Sequence, residues 1–203
     1  MSQADLVADH KAALMDSAAV FIAAADADFI RHLDAAALAL SRHRPRTLLG
    51  QLDLVADQAG YAAPADFQVF KAALWGNTTA RPWEKSWPGR IPSAHAVEVG
   101  GATEIHLDPA PTAAQISLLG SAYKFFYFAR HVISTTAAST TVRPGDRGLL
   151  LLRAQVEAMK EMAMRNIKKP VQLRDGIASA PRNGTPAALF EMLTGLFDKE
   201  AAA

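Results

Sequence analysis

Apolar and polar positions along this chain change period several times, and each change marks an expected element. Leu6, Val7, His10 and Leu14 fall on one face of a short helix over 4–15. A clearer helical period opens after Asp26, which stands where an N-cap is expected. Phe29, Ile30, Leu33, Ala37 and Leu40 carry it forward. That helix must stop by Arg44, because Pro45 pushes the residue before it out of helical geometry. Leu52 and Leu54 then alternate with polar neighbours as in a strand, and Gly60 and Pro64 supply turn chemistry behind them. Residues 68–92 hold all three tryptophans and no sustained period, which predicts an ordered excursion with short elements.

The stretch HAVEVGGATEIHL predicts a hairpin turning at Gly100-Gly101. Two registers compete. A two-residue turn pairs His95 with His106, puts Glu104 on their face and sets Val97 and Val99 apart from Ile105 and Leu107. A three-residue loop through Ala102 pairs Val97 with Ile105 and parts the histidines. One step of slip flips every side chain. Burying a branched aliphatic gains roughly 1.5–3 kcal/mol, far more than the few tenths lost where Glu98 then faces Glu104. The apolar register is therefore the expected one.

Thr112 and Gln115 form a capping box at the start of a short helix. AYKFFYFARHVI follows and is too aromatic and β-branched for anything but a strand; being apolar on both faces, it is expected in the middle of a covered sheet. A Ser/Thr/Ala-rich linker, 134–141, leads to the longest helix, near 148–167, on which Leu149, Leu152, Val156, Met159 and Ala163 step by three and four. That helix is either a central core helix or one whose methionine stripe meets a second subunit. After Pro170 comes a loop punctuated by Gly176, Pro181 and Asn183-Gly184. The last helix opens on Thr185 as N-cap with Pro186 first inside. Its stripe of Leu189, Phe190, Leu193, Leu196 and Phe197 either folds back on its own domain or docks in a neighbour's groove. The fold class is α+β: helices at both ends, a long central helix, and a small, mostly antiparallel sheet between. Residues 1–170 are expected to form a single domain, with 171–203 a loop and docking helix.

Composition narrows the function classes. The 203 residues are 50% apolar and 20% charged, with a net charge of +1, so no global field draws the chain to nucleic acid or an anionic membrane. The charge is uneven: residues 1–66 hold nine aspartates and five bases, residues 147–203 six acids and nine bases. Such asymmetry can help identical subunits meet head to tail. There is no cysteine, which removes disulfides, thiolate nucleophiles and Cys-based metal sites. The opening MSQADLVADH lacks a signal-peptide pattern, and no apolar run is long enough to span a bilayer; both point to folding in a cytosol.

Catalytic motifs are sought without success. His95, Glu104 and His106 make a ligand set only in the disfavoured register. Ser121 follows Gly120 without the nucleophile-elbow pattern, and His131 has no nearby carboxylate, so a capped or solvent-facing histidine is expected there. No Gly-rich phosphate loop occurs. The aromatic run Tyr123–Phe128 can stack bases in principle, but its flanking strands are not basic. The chain is expected to be no enzyme and to need no cofactor or metal.

The order of these pieces is familiar. LSRHRPR closing a helix, LDLVADQAGYAAPADF, HLDPAPTAAQISLLGSAYKFFYFARH and the run from LLLLRAQVEAMKE to LTGLFDKE resemble the neck proteins of tailed bacteriophages. Within that group the chain looks most like the head-to-tail connector, or adaptor, beneath the portal. The resemblance covers 4–66 and 103–200; the Trp-rich segment stands outside it. It implies a virion protein forming a homo-oligomeric ring, commonly a dodecamer, between the portal protein and the tail or a stopper ring. Double-stranded DNA would pass through without specific binding, and no membrane is involved. Carried over, the portal or a neighbouring subunit would be met by Leu189, Phe190, Leu193 and Phe197, with Arg174 and Arg182 before them. Arg42, Arg44 and Arg46 exceed what one helix end needs, and arginine forks suit a neighbour's carboxylates. The alternatives are another neck ring (a stopper or tail-completion protein), a small enzyme or effector using His95, His106 and His131, and last a nonspecific DNA-binding module.

Overall fold

The computed structural model describes residues 1–76, 81–85, 87–166 and 185–202. The chain divides into two compact units, one from Met1–Pro45 with His131–Ala203, the other from Arg46–Arg130.

The first unit is helical. α1 (Gln3–Leu14) starts on a capping box in which Ser2 and Asp5 satisfy each other's backbone amides. α2 (Ala27–His43) ends at Arg44, before Pro45, as the proline requires. Its N-terminus departs from the expected cap. Asp26 lies in left-handed geometry and makes no side-chain cap bond; Asp28, the second residue of the helix, accepts from the Ala23 amide instead.

The second unit holds the strands. β1 (Arg46–Asp53), β2 (Gly60–Ala62), β3 (Phe67–Ala73), β4 (Ser93–Val99) and β5 (Ala102–Asp108) precede α3 (Ala113–Leu119) and β6 (Ala122–Ala129). They form two antiparallel three-stranded sheets, ordered β1-β6-β3 and β2-β5-β4, rather than one. Gly60 opens a strand instead of a turn, and the first residues of the Trp-rich region are strand β3. The inner faces share one core containing Leu52, Tyr61, Trp75, Ile105, Leu107, Tyr123 and Phe125. Gly50 is required by that packing: a Cβ there would lie 2.6 Å from Phe125 Cζ. The Thr112–Gln115 capping box starts α3 as predicted.

The hairpin adopts the register that the burial argument disfavoured. His95 pairs with His106, Val97 with Glu104 and Val99 with Ala102, across a two-residue turn. The premise of equal burial fails. β5 lies between β2 and β4 with Ile105 and Leu107 covered, whereas on the edge strand β4 Ala96 and Glu98 on one face and Val97 and Val99 on the other are all exposed, so a one-step slip would bury no valine. With nothing gained by burial, the turn decides. Gly100 and Gly101 both take positive φ, 59° and 83°, the two-residue turn whose twist matches its strands.

β6 is central, as expected, but covered on one face only. Tyr123, Phe125, Tyr127 and Ala129 point into the core; Phe126 and Phe128 on the other face are half-exposed.

The chain then re-enters the helical unit. α4 (Arg147–Asn166) packs against α1 and α2, and also against α5 (Pro186–Ala202), for which the Thr185 hydroxyl accepts from the Ala188 amide and Pro186 fills the first position. Leu6, Leu33, Leu40, Leu150 and Phe197 sit at the centre of this core. Among the described residues, no helix is long and apolar enough to cross a membrane.

Candidate interaction surfaces

The arginine cluster at the end of α2 is largely engaged within the chain. Arg44 Nη1 donates to Asp146 Oδ1 at 3.0 Å, and its Nη2 and Nε donate to the carbonyls of Glu200 and Ala201 at 2.9 and 3.3 Å. It caps the last turn of α5, where exposed carbonyls and the helix dipole favour a cation. Arg46 Nη1 donates to the Arg130 carbonyl at 3.2 Å and lies 3.6 Å from Asp66. Arg42 is exposed. The sequence places all three at a helix end; that Arg44 serves the end of a different helix is legible only from the fold.

The α5 stripe lies against its own unit. Phe197 is 1% exposed, with Arg153 Cζ 5.5 Å from its ring centroid and His43 edge-on at 5.3 Å. Leu189, Phe190 and Leu193 are partly buried on the same core, while Met192 and Leu196 face outward. Arg174 and Arg182 lie outside the described residues.

None of the candidate histidines joins a catalytic constellation. His106 Nε2 and Glu104 Oε2 are 2.9 Å apart on the outer face of the β2-β5-β4 sheet, where Gly60 leaves room for them, and His95 beside them is exposed. Among the described residues, no group of three His, Asp or Glu is arranged to hold a metal ion. Of the two settings expected for His131, capped or solvent-facing, the structure shows the first, with the side chain buried at the end of α2. Its Nε2 is 2.9 Å from the Arg44 carbonyl, and its amide donates to Ser41 Oγ at 2.8 Å.

A charged network that the periodicity did not reveal joins α1, α2 and α4. His10, fully buried, has Nε2 3.4 Å from His32 Nδ1; His32 Nε2 in turn is 2.8 Å from Glu161 Oε2. Arg31 Nη2 donates to Glu161 at 2.6 Å and to Asp28 at 2.8 Å, and Arg165 Nε donates to Glu161 at 2.9 Å. Burial opposes charge on Glu161, yet hydrogen bonds from His32, Arg31 and Arg165 outweigh it and hold the carboxyl at about 2. Burial first, and the His32 charge second, pull His10 down to about 4. The sequence signal was only a histidine among apolar residues on α1. Its partners come from two other helices. No hydroxyl nucleophile joins the set, and every distance is that of a structural ion-pair network.

Among the described residues, two surfaces that carry apolar side chains into solvent are built on ordered backbone. The first is the outer face of the β1-β6-β3 sheet. Phe126 and Phe128 stand on the central strand; Leu49 pairs with Phe126 and Val69 with Phe128, and these flanking residues are 56% and 52% exposed. Lys71 Nζ sits 5.0 Å over the Phe128 ring, and Lys124 continues the Phe126 row.

The second is residues 15–25, between α1 and α2. Met15 is 80% and Ile22 86% exposed, Val20 and Ala23 to Ala25 are exposed with them, and Asp16 is the only charge in the stretch. Met15 and Ala25 hold positive φ values of 51° and 54°. The segment is fixed from beneath by Phe21, which is buried edge-on to Phe29 at 5.6 Å and His32 at 4.9 Å. Arg165 Cζ lies 5.2 Å from the Phe21 centroid, and its Nη1 donates to the Val20 carbonyl at 2.9 Å. The buried network thus anchors two short 3-10 turns, Met15–Val20 and Ala24–Asp26, whose exposed apolar side chains point away from it.

No protein-family model matches the chain, and no curated protein does. Among solved structures the chain is similar to one from the neck of an empty GTA particle, computed with C6 symmetry. The two share 16% identity over 92% of this chain and 87% of that one, with a TM-score of 0.30. A likeness of that size assigns no function.

Proposed function

We propose that this chain is a structural head-to-tail connector of a tailed-phage virion, a ring in the neck that joins the portal to the tail and lets double-stranded DNA pass. The observation that carries the reading is the pair of apolar surfaces just described, one on each unit, shaped by ordered backbone and left facing solvent. Exposed apolar patches of this kind mark places where another chain is met. An assembly component requires such surfaces and requires no reactive constellation. The sequence resemblance to phage neck proteins supplies the kind of assembly. On that pattern the ring is a dodecamer, assembled in the host cytoplasm, with the portal on one side and a tail or stopper protein on the other. We assign the portal contact to α5 and the segment with Arg174 and Arg182 before it. In the single chain Leu189, Phe190, Leu193 and Phe197 are packed on α4, so this contact exchanges one apolar groove for another. Arg42, the member of its cluster left exposed, is assigned to the neighbouring subunit.

Electron microscopy of the purified protein, alone and mixed with portal complexes, tests the reading. Rings, or a discrete mass added to the portal, are expected. A chain that stays monomeric at high concentration and leaves portal complexes unchanged in mass overturns it.

A further inference from the structure

The two apolar surfaces belong to different units of one chain, and their chemistry is complementary. We propose that residues 15–25 of one copy dock on the outer face of the β1-β6-β3 sheet of the next, an inference that rests on the ring reading above. The sheet offers Leu49, Val69, Phe126 and Phe128 with two cations, Lys71 and Lys124. The segment offers Met15, Val20 and Ile22 around Asp16, its one charge; the nearby Asp26 and Asp28 are already engaged by Lys11 and by Arg31 and Arg165. Four successive exposed apolar residues, Ile22 to Ala25, are a liability in a chain that stays alone. Here they are held in place by Phe21 and Arg165, so docking requires little further ordering of the backbone.

Because donor and acceptor surfaces differ, the contact is heterologous: each copy uses its sheet once and its segment once, and repetition gives a closed ring or an open filament. A nucleic acid is the less suited occupant of the sheet. Stacking platforms for single strands lie in a cationic groove, whereas this face has two lysines and aliphatic side chains on both flanks.

The test uses two variants of the full chain. Ile22→Glu alters only the segment; Leu49→Glu with Val69→Glu alters only the sheet edges. All three positions are more than half exposed, and circular dichroism melts check that both variants fold. Association is read by sedimentation and native mass spectrometry, with and without portal complexes. Each variant alone should lose roughly thirtyfold or more in association, the scale of one well-buried anchor. Mixed together, they retain one intact junction and should give a one-to-one heterodimer and nothing larger. Asp16→Lys paired with Lys71→Glu should restore part of what either single reversal loses.

Rings that form equally well from Ile22→Glu overturn this contact and leave the ring reading standing. A wild-type chain that never associates, with or without portal, overturns both. Salt-sensitive binding of labelled oligothymidylate that Leu49→Glu/Val69→Glu abolishes and Ile22→Glu leaves intact would make the face a nucleic-acid platform, and would also overturn it.

Discussion

His10 and Glu161 sit in one network but titrate in opposite senses, and their pH windows follow from the signs. His10 has a folded value of about 4 against an ordinary 6.5, so between these limits the unfolded chain binds the extra proton. Stability should therefore fall as pH drops from 6.5 towards 4. Glu161 is held at about 2 against an ordinary 4.5, so its contribution is present above 4.5 and is lost from there down to 2. Thermal melts over this range should show a decline beginning near pH 6.5, well above the carboxylate range. In His10→Gln the decline should begin only near pH 4.5; an unchanged profile would show that His10 is not the group responsible. Arg44 holds the end of α5. Truncation to Ala removes the Asp146 bond and two carbonyl caps on α5 together, and should cost about 1–2 kcal/mol in urea unfolding. Arg42→Ala, at an exposed position, should change stability by less than about 0.5 kcal/mol.

Gly50 shows what an element asks of a single position. Its missing Cβ leaves room for the tip of the Phe125 ring against β1, so Gly50→Ala must push either the ring or the strand aside. A loss of about 1–3 kcal/mol is expected, as for other overpacked cores, read as a lower urea midpoint with an unchanged m-value. Most elements were legible in the sequence because their signals are local. The helical periods of α1, α2 and α4, the Thr112–Gln115 box, the Thr185-Pro186 start and the Pro45 stop each depend on a few neighbouring residues. What was missed depends on position in the fold. Val97 and Val99 look as buriable as Ile105 and Leu107 until β4 proves to be an edge strand, and then the glycine turn sets the register. Phe126 and Phe128 imply a sheet covered twice, until a three-stranded sheet leaves their face open. Of the candidate surfaces, the α5 stripe could be read from its spacing. Residues 15–25 could not, since alanine-rich apolar sequence gives no sign of which side chains will point outward.

At the scale of the whole molecule, the charge asymmetry along the sequence disappears in the fold. Residues 1–45 of the acidic first third and the basic last third are brought into the same unit, where Asp9 meets Arg147 and Asp28 meets Arg165. That unit holds fourteen Lys/Arg against thirteen Asp/Glu; residues 46–130 hold seven of each. With each unit near balance, attraction between an acidic end and a basic end gives little drive for association, and the proposed contact between copies rests on apolar surfaces with a few charges setting direction. The same balance governs DNA. Each phosphate neutralised by a protein cation contributes a slope of about −0.9 to the dependence of log K on log salt. On the proposed reading, a neck through which DNA slides gains nothing from holding phosphates, and neither unit has more than one cation in surplus. Filter binding of duplex DNA across a salt series should accordingly give weak association with a slope no steeper than about −2, equivalent to one or two phosphates. A slope of about −5 would mean that the folded chain concentrates its cations on one face despite the balance in each unit, and would favour a DNA-gripping part over a passive conduit.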